Sequence, residues 1–136
     1  SARDLSQDTA ERQLKELVPD ACDLAASRLD DGAVKKLLNM PYPQMRSNLG
    51  KMTHKAMNDL IDERGIGIRY TNAGVQGPDF WINGYWFDLS THNTWQKAPV
   101  KREIYNRICG GSPGCERQIL YDPGEVLNCY YRNYRP

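Results

Sequence analysis

Two aspartates flank an Asn-Gly pair in the stretch PDFWINGYWFD. Asn83-Gly84, set between aromatic and aliphatic residues, is the strongest short-range signal for a two-residue hairpin turn. Counting outward from that turn pairs Asp79 with Asp88. Directly opposed residues have Cβ atoms roughly 4.5–5.5 Å apart, and like charges there are destabilising. The pattern therefore predicts a compensating charge, and two carboxylates so placed can share one hard divalent cation.

Strand alternation gives the two faces of this hairpin different characters. Trp86, Asp88, Ser90 and, if the strand continues, His92 fall on the face of Asp79. The other face is apolar and is the natural core side: Phe80, Ile82, Tyr85, Phe87 and Leu89. An ordinary interpretation remains open, in which Asp79 is a turn residue, Asp88 is solvated and a nearby Lys or Arg relieves their opposition.

Helical spacing dominates the first half of the chain, and short strands follow it. The apolar period and the caps predict helices over 8–18, 19–32, 34–38 and 45–65. Beyond them the pattern predicts a strand over 66–70, the hairpin, a helix from 94 to 108, and strands over 117–121 and 125–131. This order indicates one α+β (α/β) domain over 1–136, with a helical preface over 1–43 and an α/β core over 44–136.

The composition and the net charge limit the classes of function that the chain can have. The chain has 136 residues, 40% of them hydrophobic and 26% charged, as is ordinary for a soluble globular domain. A net charge of +1 argues against a non-specific nucleic-acid binder, although a local basic face is compatible with it. No apolar run is long enough to span a bilayer, and the start lacks both Met and a signal-peptide core. We therefore interpret the chain as a mature fragment or an excised domain.

Four cysteines allow three disulfide pairings, and their spacing favours one of them. Cys109 and Cys115 enclose Gly-Gly-Ser-Pro-Gly, in which Pro113-Gly114 suits the middle of a type II turn. Such a turn folds the two thiols toward each other. A disulfide here indicates passage through an oxidising compartment. Cys22 is expected to be a buried small residue of a helix.

From residue 45 to about 121 the order of elements and two motifs resemble the PD-(D/E)xK nuclease superfamily, which has the restriction-endonuclease-like fold. Pro78-Asp79 looks like the PD of that family, and Asp88-Leu89-Ser90 falls where its (D/E)xK would stand. The resemblance implies a helix-strand-strand-strand-helix-strand core. It also implies that Asp79 and Asp88 hold Mg²⁺, or another divalent cation such as Mn²⁺ or Zn²⁺, for the hydrolysis of phosphodiester bonds in DNA or RNA.

Ser90 stands where the family has its Lys, and a hydroxyl cannot supply that positive charge. A substitute, or a group that orients or deprotonates water, must come from the preceding helix or from the segment after the hairpin. The candidates are Lys51, His54 and Lys55 on the helix, and His92, Gln96 and Lys97 after the hairpin. His54 is otherwise a packing residue, and His92 otherwise belongs to a loop or a helix cap.

Small domains of this superfamily occur as C-terminal toxin modules of bacterial polymorphic and contact-dependent growth inhibition systems. The resemblance therefore implies a secreted or surface-delivered toxin that acts on nucleic acid in the target-cell cytoplasm and is neutralised by a cognate immunity protein. Two alternatives remain open. One is a metal-independent RNase that uses His54 or His92 with Lys and Tyr residues. The other is a non-catalytic protein-binding module.

Overall fold

A computed structural model describes residues 6–75, 77–91, 99–108 and 115–135. In these residues the chain forms five helices and a four-stranded sheet. The elements, in chain order, are α1 (Gln7–Ser27), α2 (Asp31–Leu38), α3 (Tyr42–Glu63), β1 (Arg69–Tyr70), β2 (Phe80–Ile82), β3 (Tyr85–Ser90), α4 (Pro99–Ile108), β4 (Glu116–Leu120) and α5 (Glu125–Asn133). The mixed α+β class predicted from the sequence is confirmed.

The first helix is longer than the sequence predicts. The expected boundary between 18 and 19 is wrong, because α1 runs through Pro19. Because Pro19 has no N–H, the carbonyl of Lys15 loses the hydrogen bond that it would accept in a helix. Both residues lie on the exposed side of α1, where water can replace that bond. The amide of Thr9 donates to the Ser6 hydroxyl at 3.1 Å and caps the helix. The buried face continues on both sides of the proline, in Leu14, Leu17, Ala21 and Ala25.

The next two helices begin earlier than predicted. Gly32 was expected to end a helix but lies in the first turn of α2, because the Asp30 side chain accepts from the Ala33 amide at 2.8 Å and starts the helix there. In α3 the first turn includes Pro43, whose missing N–H has no helical acceptor at that position. Gly65 then adopts a φ of 62° and ends the helix as expected.

The sheet has the order β1-β2-β3-β4, with the first two pairs antiparallel and β3 parallel to β4. From α3 onward the chain therefore follows the predicted order of helix, three strands, helix and strand. The first strand is shorter than the predicted 66–70, because only Arg69 and Tyr70 find partners on the three-residue β2. Residues 94–98 of the predicted following helix lie outside the described part.

The predicted last strand, 125–131, is wrong, since this segment forms the helix α5. Its tyrosines favour a strand by intrinsic preference. The residues that it buries are Val126, Cys129 and Tyr130, which have the spacing of a helix face. The Tyr130 hydroxyl donates to Asp31 at 2.5 Å and ties α5 to the start of α2. Tertiary burial thus overrides the local preference.

One hydrophobic cluster joins the helices to the sheet. Phe80, Phe87 and Ile119 are fully buried in it, together with apolar residues of α1, α2, α3 and α5. α1 contacts α3, α5 and β4. The preface predicted over 1–43 therefore packs into the same core as the sheet in its described part, and does not stand apart from it.

Candidate active site

The hairpin has the predicted register. Phe80 pairs with Phe87, Trp81 with Trp86 and Ile82 with Tyr85. The turn residues Asn83 and Gly84 have φ values of 50° and 80°, as a two-residue turn matched to strand twist requires. Asp88 follows Phe87 within β3, whereas Asp79 directly precedes the first residue of β2, so the ladder between the two strands ends one position before the expected pair. The sequence thus correctly predicts which residues flank the paired part of the hairpin.

Asp79 is held by two neighbours. The backbone N–H of Leu89 donates to its Oδ2 at 2.7 Å. Its Oδ1 lies 3.9 Å from Nδ1 of His54, and its side chain is 24% exposed. The carboxylate therefore links the end of β3 to α3, while part of it remains accessible to solvent.

Asp88 is buried, with 5% of its surface exposed, so the interpretation of a solvated Asp88 is wrong. It lies beside Gln118 in the parallel register of β3 and β4. Gln118 Nε2 donates to the Ser90 hydroxyl at 3.2 Å and to the Thr91 carbonyl at 3.3 Å. Ser90 thus takes part in a structural hydrogen bond. A second buried carboxylate is that of Glu116, the first residue of β4, which lies just outside the strand predicted over 117–121.

His54 lies where α3 meets the hairpin. Its side chain is 12% exposed, and its ring makes an edge contact with Phe80 at 5.6 Å between centroids. Burial lowers the pKa of His54, while the Thr71 backbone and the negative charge of Asp88 act in the opposite direction. The imidazole therefore lies 3.9 Å from the Asp79 carboxylate and is affected electrostatically by Asp88. Its Nε2 is buried and has no hydrogen-bond partner among the described residues.

A stripe of residues four apart on α3 faces this region. It consists of Arg46, Gly50, His54 and Asn58. Asn58 Nδ2 donates to the Thr71 carbonyl at 3.3 Å. A Cβ added at Gly50 would overlap the hydroxyl oxygen of Tyr121, so the glycine leaves the space that this phenol occupies.

Tyr121 is a site residue that the sequence reasoning missed. Burial raises its pKa to about 12, and the negative charge of Asp79 adds to the effect while Arg46 opposes it. The phenol is therefore protonated at neutral pH and is a hydrogen-bond donor beside Asp79. The sequence predicts that Arg46, Gly50 and His54 share one face of a helix. It does not predict that Tyr121, which follows β4, lies against that face.

The two lysines predicted as candidates on α3 lie on its exposed surface. Lys51 is exposed, and Lys55 is drawn to Asp59, with 3.5 Å between Nζ and Oδ2. His92, Gln96 and Lys97 lie outside the described residues, as does Cys109. Cys115 is disulfide-bonded, in line with the expected bridge. The described part leaves Cys22 and Cys129 as free thiols, both buried, as was expected for Cys22.

The two hairpin carboxylates fit a hard cation by the type of their donor atoms. Mg²⁺ keeps several waters and is commonly bound through one or two carboxylates. Asp79, which is partly exposed, and Asp88, which is buried, both offer such oxygens in the neighbourhood of His54. Within the described ranges, no three His, Cys, Asp or Glu side chains come together as a metal-binding group. A cation here would therefore rely on these two carboxylates and on water.

A cavity of about 720 Å³ opens beside Tyr121, at the carboxyl ends of the parallel strands β3 and β4. Thr91 and Tyr121 line it from the sheet, and Arg46 lines it from α3. Ligands of α/β sheets commonly bind outside the carboxyl ends of strands. The cavity therefore adjoins the carboxylate cluster through Tyr121.

Comparison with protein-family models, curated proteins and solved structures gave no match to this chain. Among the described helices, none is both long and apolar enough to cross a membrane.

Proposed function

We propose that this chain is a metal-dependent nuclease that hydrolyses phosphodiester bonds of DNA or RNA on a restriction-endonuclease-like core. The observation that carries the proposal is the position of His54, whose Nδ1 lies 3.9 Å from Asp79 Oδ1 and whose pKa is affected by the negative charge of Asp88. The order of helix, three strands, helix and strand, with β3 parallel to β4, supports the same core.

Each side chain has a role in this proposal. A divalent cation held by Asp79 and Asp88 would activate water and offset charge on the phosphate. The Leu89 amide fixes the orientation of Asp79. His54 orients the attacking water and accepts its proton, in place of the family Lys that Ser90 replaces. Tyr121, protonated, donates a hydrogen bond to the phosphate.

The activity test uses DNA and RNA substrates with Mg²⁺ or Mn²⁺, and EDTA as the control for metal. Asp79→Asn and Asp88→Asn should each lower the cleavage rate by about 10²-fold or more, because each weakens the binding of the cation that would offset charge in the transition state. Both keep the shape of the side chain, and the Asn at 79 can still accept from the Leu89 amide.

Asp59→Asn is the matched control, because Asp59 is a partly exposed carboxylate on α3 paired with Arg28 and Lys55. Its cleavage rate should be unchanged, since exposed ion pairs contribute little to stability. Undiminished cleavage by folded Asp79→Asn and Asp88→Asn variants would refute the metal site.

A second function is favoured by the contact between His54 and Asp79. A carboxylate beside an imidazole is also the arrangement that orients a general base without a metal. In that case the chain is a metal-independent RNase, and cleavage survives EDTA but not His54→Gln. Loss of cleavage in EDTA selects the metal-dependent function.

The biological role is proposed on the family resemblance alone. We propose a secreted or surface-delivered toxin that acts in the cytoplasm of a target bacterium and is neutralised by an immunity protein. Production of the chain inside a bacterial cell should then arrest growth, and production of the Asp88→Asn variant should not. Equal growth arrest by the unmodified chain and the variant would show that toxicity does not depend on Asp88.

A further inference from the structure

The cavity at the carboxyl ends of β3 and β4 has a mixed lining. Val18, Pro19 and Cys22 of α1 and Leu120 of β4 give it an apolar wall. Asp122 and Glu125 add carboxylates opposite Arg46, whose Nη1 lies 4.0 Å from Asp122 Oδ1. Carboxylates disfavour a bare phosphate, whereas acidic and basic groups together can pair with the donors and acceptors of a nucleobase edge.

An exposed aromatic residue stands next to Arg46. Tyr42 is 64% exposed, and the Arg46 guanidinium lies 5.7 Å from the centre of its ring. Arg46 Nη1 also donates to the Tyr42 hydroxyl at 3.3 Å, which holds the two side chains together. Aromatic rings beside cations are the usual platform on which bases of single-stranded nucleic acids stack.

Volume restricts what can enter. Pockets of about 300–1,000 Å³ hold one small-molecule ligand, and 720 Å³ falls within that range. One nucleotide fits, whereas a base pair held in a stacked duplex does not reach into such a cavity. A base must therefore be unstacked to enter, as it is in single strands.

We propose that this cavity binds one base of a single-stranded nucleic-acid substrate, with Tyr42 and Arg46 at its rim, next to the phosphodiester bond at Asp79 and Asp88. The inference rests on the proposed nuclease function for the position of that bond. Tyr121 connects the two parts, since it lines the cavity and its hydroxyl lies beside Gly50 on the His54 stripe.

The test measures binding without cleavage, in the full chain carrying Asp88→Asn and with Mg²⁺ present. The probes are labelled eight-nucleotide single strands of DNA and of RNA, and the duplex of the same DNA sequence, followed by fluorescence anisotropy. Tyr42→Leu and Arg46→Met should each weaken single-strand binding about tenfold, the factor expected for losing one base-aromatic stack. The duplex should bind more weakly than either single strand.

The matched controls are Tyr131→Leu and Arg135→Met. The guanidinium of Arg135, just beyond the end of α5, lies 5.4 Å from the centre of the Tyr131 ring, and this similar pair does not line the cavity. They should leave binding unchanged. Equal binding by the Tyr42, Arg46 and control variants, duplex binding as tight as single-strand binding, or no binding at all overturns the inference. Cleavage by the unmodified chain judges the proposed function separately.

Discussion

Asp79 uses its two carboxylate oxygens for different purposes. Oδ2 accepts the Leu89 amide, which fixes the carboxylate to the backbone of β3. Oδ1 faces His54 across 3.9 Å. An alanine at this position would therefore leave a strand amide without its acceptor, at a cost of about 1–3 kcal/mol, besides removing the charge. Asparagine separates the structural contribution from the chemical one.

In the proposed nuclease, the His54 ring is the described group best placed to act as the general base. We expect His54→Gln to lower the cleavage rate by about 10²- to 10⁴-fold, as for loss of a general base. Loss of the edge contact with Phe80 should cost about 0.5–1.5 kcal/mol of stability, measured by urea denaturation.

Lys51→Gln and Lys55→Gln are the controls for His54, since both lysines were candidates from the sequence and both are exposed. Their cleavage rates should match that of the unmodified chain. A loss confined to one of these lysine variants, with His54→Gln fully active, would transfer the role to that lysine.

At the residue scale, the sequence predicts whatever local geometry determines. The Asn83-Gly84 turn determines the register, and the register places Asp79 and Asp88. The burial of Asp88 and the approach of Tyr121 could not be predicted, because they depend on which helix and strand cover the hairpin. Those contacts arise between residues far apart in the chain.

Among the elements, α3 determines the shape of the site through Gly50. A methyl group there would overlap the Tyr121 hydroxyl, so Gly50→Ala should displace the phenol and lower the cleavage rate. The substitution should stabilise the helix itself, because Ala is more favourable than Gly in a helix by about 1 kcal/mol. We therefore expect reduced cleavage without a matching loss of thermal stability.

Gly32→Ala tests the same substitution in α2, where the nearest atom to an added Cβ is Asp30 Oδ1 at 3.4 Å, an ordinary contact. This variant should keep its full cleavage rate and be slightly more stable. Equal cleavage by the Gly50→Ala and Gly32→Ala variants would show that the Tyr121 position does not matter for the reaction.

Two errors at the element scale have a common physical origin. The local preference of proline predicts that a helix ends at Pro19, and the local preference of tyrosine predicts a strand over 125–131. In the fold, α1 continues through Pro19 because water can bind the carbonyl that loses its helical partner. Residues 125–131 form a helix because a helix buries Tyr130. Packing energy outweighs these local preferences, which are worth about 3 kcal/mol for a proline inside a helix and about 1 kcal/mol or less for other residues.

In the whole molecule, α1 and α5 come from opposite parts of the chain and pack against each other, and they carry the two buried free thiols of the described residues, Cys22 and Cys129. Burial raises the pKa of Cys22 to about 11, and the nearby Cys129 adds to this. At pH 8 only about one Cys22 in a thousand is then a thiolate, the reactive form. The folded protein should therefore react slowly with a thiol reagent such as DTNB.

Counting thiols with that reagent tests the packing and the disulfide together. Unfolding in guanidinium without reductant should release two thiols, and reduction should raise the number to the four cysteines of the sequence. Rapid reaction of the native protein would contradict the packing of α1 on α5. Four thiols before reduction would contradict the disulfide at Cys115.

The hydrogen bond from the Leu89 amide to Asp79 makes that amide a spectroscopic reporter. Any change in the charge on the carboxylate, by protonation or by a bound cation, alters the electron density that the amide proton experiences. The Leu89 resonance in a ¹H–¹⁵N spectrum should therefore shift during a Mg²⁺ titration. The backbone of β3 thus records occupancy of the site even when no substrate is present.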